Sequence, residues 1–360
     1  MKLCRICNDA NGSSFENGKC YICSDSALKT DQMIEKAKEL LKKEGSKSFS
    51  ISTKIPKDWL VQEERVWDIS LGKSESIKNR LNKKISSSLP GEYVVDGDVR
   101  IVFDFAADTV TLQRSDMFIF GRYRKTVPGL SQSRWKCSKC DGKGCKACNE
   151  KGKMYESVEE RIGEPLKAAA LAEDYVLHAS GREDVDATNS AGRIFVMMLK
   201  SPKNRRIDLK MAEKKIGESA EVSVHGLRLV KRGFVELVSE SHFDKAYTAE
   251  VEFGREIGED DAEKISEIEG TMIAQKTPKR VAHRRADLVR HRKIKKIRVE
   301  KIDGKKAVLF IKAEAGTYIK ELISGDDGRT EPNISKITGT SAKCTSLDVS
   351  EIDDGFIDQF

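Results

Sequence analysis

The sequence predicts an α+β protein: a mixed central sheet carrying helices, preceded by a metal ribbon and a smaller α/β unit. Two observations carry this expectation. From residue 157 onward, short alternating apolar runs recur between turns, and helical periodicity interrupts them at four places. Ahead of that region, eight of the nine cysteines fall into four Cys-x-x-Cys pairs.

Cys4, Cys7, Cys20 and Cys23 form two knuckles separated by 12 residues, the spacing of a zinc ribbon over residues 1–27. Thiolates two apart in a tight knuckle both reach one tetrahedral ion, and Gly12 and Gly18 suit the hairpin between the knuckles. Four thiolates with no nearby histidine predict a closed structural zinc site; disulfides are the alternative, disfavoured in a cytosolic setting. Met33, Ile34, Ala37, Leu40 and Leu41 then line one face of a predicted helix, Thr30–Glu44, which Gly45 ends. Strand-like runs at Phe49–Ser52, Val99–Phe105 and Met117–Gly121, with a helix at Glu75–Ile85, complete a unit over 28–135.

Cys137, Cys140, Cys145 and Cys148 lie within twelve residues, with Asp141-Gly142-Lys143-Gly144 between the knuckles. A glycine-permitted reversal would close them around one ion, with zinc the leading choice; an iron–sulfur cluster, a plain basic turn, or pairing of knuckles between the two sets stay open. This cluster and a linker fill 136–156. From 157 to 360, strands are predicted at Gly192–Leu199, Ala220–Val230, Phe234–Val238, Ala246–Phe253, Thr271–Ala274, Ile294–Ile302, Ala307–Ala313 and Cys344–Val349. Helices are predicted at Ser157–Ala172, Lys210–Ile216, Asp260–Ile268 and Tyr318–Ile323, and the ninth cysteine, Cys344, reads as a core residue.

The composition, 38% hydrophobic and 34% charged, is that of a strongly charged globular chain. No signal-like region and no apolar run of membrane length is present, which predicts a cytoplasmic protein with no membrane partner. The net charge of +7 is unevenly spread. Residues 114–153 hold 11 Lys or Arg against 3 acids, and residues 276–298 hold 11 against Asp287 alone. The second patch, with His283 and His291 in it, points to RNA; the first is as compatible with a solvated lysine-rich face. The chain has no phosphate-binding loop and no dinucleotide fingerprint, so no organic cofactor is expected. No protein partner is implied.

Candidate chemistry starts at Gly181-Arg182-Glu183-Asp184, on a connection between predicted core elements. Gly181 permits a turn. If the segment is extended, Arg182 and Asp184 point the same way and offer a guanidinium and a carboxylate to one substrate. Lys245-Ala246-Tyr247-Thr248-Ala249 alternates as a strand does. Gly316-Thr317-Tyr318-Ile319-Lys320 looks like a strand-to-helix junction with Thr317 as its cap.

These three segments, in this order, resemble the core motifs of pseudouridine synthases. Phe120-Gly121-Arg122-Tyr123-Arg124-Lys125, Ser131-Gln132-Ser133-Arg134-Trp135, Gly325-Asp326-Asp327-Gly328-Arg329-Thr330 and the basic run Gln275–Arg292 narrow the likeness to the tRNA pseudouridine synthase 10 family. The resemblance implies an RNA-binding THUMP domain over 28–135, a catalytic domain over 157–360, tRNA as substrate, and isomerisation of uridine 54, uridine 55 or both in the T-arm. It makes Asp184 the catalytic carboxylate, Lys320 the cation paired with it, and Tyr247 the ring over the target base. It places Ile319 and Leu347 on the apolar side of the base pocket and Arg182 where the flipped base had been, with Arg280, Arg284 and Arg285 on phosphates. After the aspartate the family usually runs through an Arg, a Leu-Gly and then Gly-Arg-Pro-Phe. This chain has Ala187-Thr188-Asn189-Ser190-Ala191-Gly192-Arg193-Ile194-Phe195, without that basic residue and the proline. Two other readings compete: a non-catalytic zinc-containing tRNA-binding or chaperone protein, and an RNA-thiolating enzyme, which would need the absent phosphate loop.

Overall fold

The computed structural model describes residues 2–8, 19–70, 75–284 and 286–359; Gly12, Gly18 and Arg285 lie outside them. The chain divides into two compact units, one running to residue 117 with residues 200–203 attached, the other comprising 118–199 and 204–360.

In the first unit, α1 (Thr30–Glu44) buries Met33, Ile34, Ala37 and Leu41, and Gly45 in the left-handed conformation (φ 72°) ends it by donating to the Leu41 oxygen. The strands β1 (Ser48–Lys54), β2 (Glu92–Tyr93), β3 (Val99–Asp104) and β4 (Thr109–Arg114) form a sheet in the order β2-β1-β3-β4. β1 runs parallel to β2 and β3, and β4 returns antiparallel to β3. Two further helices, α2 (Lys57–Ser70) and α3 (Ile77–Ser88), accompany the sheet. The four N-terminal cysteines pack into the same core as Ile34, Phe49, Leu81 and Phe103.

The second unit is built on a ten-stranded mixed sheet. Its strands are β5 (Met117–Lys125), β6 (Asp174–Ala179), β7 (Thr188–Lys200), β8 (Val222–Val230), β9 (Lys245–Phe253), β10 (Met272–Lys276), β11 (Val289–Asp303), β12 (Lys306–Ala313), β13 (Thr330–Glu331) and β14 (Ala342–Ile352). The order is β13-β10-β11-β12-β9-β14-β7-β5-β8, with β6 paired to β7. Six helices accompany it: α4 (Val158–Ala170), α5 (Leu209–Gly217), α6 (Gly233–Glu240), α7 (Glu259–Ser266), α8 (Ile319–Ser324) and α9 (Ile334–Thr338). Ser157 caps α4 by accepting from the Glu160 amide. The α+β class with a mixed central sheet is therefore as expected.

Three local expectations need correction. Phe234–Val238, expected as a strand, lies within helix α6, because a short apolar run fits a buried strand and a helix face equally well. Met117–Lys125 belongs to the large sheet through pairing with β8, so the first unit stops at 117 rather than 135. The segment 182–184 is irregular rather than extended strand.

Candidate active site

The connection between β6 and β7 is held in large part through its backbone. Gly181 turns the chain at φ +72°, where a side chain would be strained. Arg193, fully buried on β7, donates to the Ser180 oxygen at 2.6 Å, and Gln132 donates to the Gly181 oxygen at 2.9 Å. The ammonium of Lys125, with no exposed surface, donates to the main-chain oxygens of Leu130 (2.9 Å), Asp184 (3.0 Å) and Val185 (3.1 Å). Burial pushes the Lys125 amine below its ordinary value, while nearby carboxylates pull it back up.

Glu183 turns inward. It accepts from the Tyr123 hydroxyl at 2.9 Å, and its carboxylate stands 2.9 Å from Arg193 Nε, both side chains 1% exposed. It is thus satisfied inside the fold and adds no unpaired charge beside Asp184. These grips leave the Asp184 carboxylate, 28% exposed, facing outward.

Across from it, α8 is set by a reciprocal pair. Buried Gln275 accepts from the Tyr318 amide and donates to the Tyr318 oxygen, both at 2.9 Å. Tyr318, not Thr317, is the residue capping α8; the Thr317 hydroxyl donates back to Glu314. Lys320 on this helix lies 3.6 Å from Asp184 Oδ2 and 2.5 Å from Asp186 Oδ1. Partial desolvation works against the Asp186 charge, but the Lys320 ammonium outweighs it and holds that carboxyl below its usual range. Among the described side chains, the nearest cation to the Asp184 carboxylate is Arg280: its Nη1 donates to Oδ1 at 2.7 Å while its Nε donates to Glu321 at 2.6 Å. Arg280, expected on phosphate, bridges the carboxylate loop and α8 within the protein.

Tyr247 on β9 is 9% exposed, and its hydroxyl has no hydrogen-bond partner among the described residues. Burial and the Asp184 charge, against Arg193, push the phenol up to about 12, so it stays protonated. Asp184, Tyr247, Arg182, Arg280, Ile319, Lys320 and Leu347 all line one cleft of about 530 Å³. Lys245, Arg290 and Arg292 line it too. Of the remaining expected phosphate contacts, Arg284 lies in the turn after β10 and Arg285 falls outside the described residues.

The Gly325–Thr330 motif anchors that basic turn. Asp326 accepts from the Lys279 amide at 3.1 Å, and Arg329 donates to the Thr277 oxygen and to Asp287. Tyr123, Lys125, Gln132 and Arg193 are the supporting residues that motif reading alone did not single out. All four sit inside motif stretches named above, but nothing in their spacing tells that they bind the β6–β7 connection.

Two cysteine groups complete the inventory. Within each, the sulfurs all lie within 4.8 Å of one another. Cys4 and Cys23 are 3.6 Å apart; Cys137–Cys145, Cys140–Cys148 and Cys145–Cys148 are 4.0, 3.9 and 3.8 Å. Four sulfurs about 2.3 Å from one tetrahedral ion stand about 3.8 Å apart. Each set has the spacing to hold a single ion of its own. Sulfurs bound to separate irons of a cluster would stand further apart.

A model of the family described as "Pus10, C-terminal" matches residues 118–353. The chain belongs to the Pus10 family. The tRNA pseudouridine synthase Pus10 of Korarchaeum cryptofilum is 40% identical over 93% of both chains. That of Archaeoglobus fulgidus is 37% identical over 97% of this chain and 99% of its own. Among solved structures, a Cbf5-Nop10-Gar1 complex matches at 21% identity and TM-score 0.33, over 51% of this chain and 41% of its own. As a Pus10 chain it is an enzyme, an isomerase of the pseudouridine synthase group. Among the described residues, no helix is long and apolar enough to cross a membrane.

Proposed function

We propose that this enzyme isomerises uridine in the T-arm of tRNA, at position 54, 55 or both. The observation that supports it best is the convergence of Asp184, Tyr247 and Lys320, from a loop, a strand and a helix far apart in sequence, on one open cleft. The reaction breaks the N1–C1′ bond and joins C5 to C1′; the C5 proton leaves and N1 gains one. No redox group or nucleotide is required.

Asp184 supplies the carboxylate that attacks or takes the proton, and Arg280 and Lys320 pair with it and hold it in place. Tyr247 offers a neutral phenol ring for stacking on the base. Ile319 and Leu347 close the apolar side of the pocket. Arg182 occupies the gap in the stack once the base is flipped, which offsets part of the few kcal/mol that unstacking costs. Arg284 and Arg285, with neighbouring Arg290, would take phosphates. The cysteine sets hold structural zinc, and the α/β unit ahead of residue 117 serves as the THUMP-type RNA-binding domain. A cytoplasmic location follows from a tRNA substrate.

The test is to incubate the protein with an unmodified tRNA transcript and map pseudouridine by carbodiimide-adduct primer extension. T-arm stops with the unmutated protein and none with Asp184→Ala are expected. Tight binding without stops would favour the non-catalytic tRNA-binding reading.

A further inference from the structure

The second cysteine knuckle lies beside the catalytic loop, and nothing in the uridine chemistry itself uses it. Residues 136–153 carry six lysines against Asp141 and Glu150. Lys153 is spoken for, by Glu156 at 2.8 Å and Glu160 at 2.7 Å. Among the described residues, Lys136, Lys139, Lys143, Lys146 and Lys151 make no ion pair, and all five are exposed. Elsewhere in this unit cations commonly find carboxylates, as Arg134, Arg255, Lys295 and Lys336 do. A tetrathiolate zinc centre would itself bring two negative charges. Six lysines less two acids and those two charges still leave a surplus of two positive charges, displayed on a surface too small to be neutral by averaging.

The knuckle is also rigidly tied to the site. At its neck Lys136 pairs with Lys153, and the Cys137 amide donates to the Gly152 oxygen at 2.7 Å. Just below, the Arg134 amide donates to Glu159 at 2.9 Å, and Gln132 reaches the Gly181 oxygen. Trp135 and Tyr155 stand edge to face across the two chain segments, ring centres 6.4 Å apart. On the Trp135 face sits the Arg182 guanidinium, 4.1 Å from the ring centre. Arg182 lines the cleft with Asp184. A continuous path therefore runs from the lysine-bearing knuckle, across an aromatic step, to the carboxylate.

We infer that the 136–153 knuckle is a second RNA-docking site, its lysines taking backbone phosphates of the strand that flanks the target uridine. Trp135 and Arg182 form the planar step between that strand and the cleft. Lysine on a metal-stiffened loop suits phosphate because the point charge needs no fixed partner geometry and the loop loses little entropy on binding. This inference rests on the tRNA reading above.

The experiment measures binding of full-length, metal-loaded protein to an unmodified tRNA transcript across a salt series, with turnover on the same transcript. For the variant Lys139→Glu/Lys143→Glu/Lys146→Glu, the affinity should fall at least tenfold. The slope of log K against log salt should become shallower by about two to three, since each phosphate contact contributes roughly 0.7–0.9. Metal content and melting temperature report whether the variant is folded. If the Glu variant loses its ion, Lys139→Gln/Lys143→Gln/Lys146→Gln decides the matter, with a smaller loss of the same sign. Unchanged affinity and slope in a folded variant overturn the inference and leave the lysine face to an acidic protein partner. If instead the unmutated protein modifies no tRNA, it is the enzymatic reading that fails.

Discussion

Arg280 reaches Asp184 from 96 residues away in the chain, its guanidinium 2.7 Å from Oδ1, closer than the Lys320 ammonium at 3.6 Å from Oδ2. Arg280 also binds Glu321, on the helix that carries Lys320. The two cations are thus parts of one assembly around the carboxylate.

Both should matter for turnover, and unequally. Lys320→Ala is expected to abolish pseudouridine formation with little loss of tRNA affinity. Arg280→Gln should lower kcat about ten- to a hundredfold, because a charge-assisted contact is lost while Lys320 remains. Single-turnover rates alongside tRNA binding separate the two effects; unchanged rates in both variants would remove these residues from the mechanism.

The buried Glu183–Arg193 pair supports the same loop from inside. Glu183→Gln leaves Arg193 uncompensated in the core and should cost about 3–5 kcal/mol in denaturant unfolding. Adding Arg193→Met removes the stranded charge and should recover part of that loss.

Lys245 gives a pH signature. Burial first, and then neighbouring Arg193, push its amine down to about 8, while Asp244 and Asp354 pull it upward. An ordinary lysine in the unfolded chain holds its proton to a higher pH, so the unfolded state binds more protons between about 8 and the ordinary lysine value of 10.5. Stability of the free protein should therefore rise with pH through that window. Binding of tRNA favours the charged amine at the cleft wall, so affinity should instead weaken as pH rises above about 8. Lys245→Met should flatten both trends, read by melting temperature and by binding titrations from pH 7 to 10.

Metal analysis should return two zinc ions per chain. Cys7→Ser and Cys148→Ser should each remove one. Chelation should unfold the N-terminal ribbon and weaken tRNA binding while the ten-stranded sheet keeps its far-ultraviolet signal.

Much of this was legible in the sequence because period and spacing report it directly. Helix α1, strands β9 and β12 and both cysteine sets announce themselves by apolar alternation, helical stripes or fixed intervals. Helix α2 did not, since its inward face is made partly of Glu63, 2% exposed beside Trp59, and a charged residue reads as surface. Helix α6 differs from the expected strand because Phe234, Val235, Leu237 and Val238, broken by Glu236 alone, fit a short strand as well as a helix face. The cleft's own residues were legible through ordered motifs. Their supports were not: Lys125 and Gln132 bind main-chain oxygens, and a main-chain oxygen leaves no mark in a sequence.

That last property shapes how such a loop changes over generations. Lys125, Gln132 and Arg193 grip main-chain oxygens at 180, 181, 184 and 185, a contact that does not read the side chain. Drift can rewrite the stretch after Asp184, as Ala187 to Ala191 show in this chain, without unseating the carboxylate. The grippers have no such freedom, and neither do Gly181, fixed by its turn, and Asp184, fixed by its chemistry, so across relatives substitutions should gather at Val185 and beyond and spare the holders.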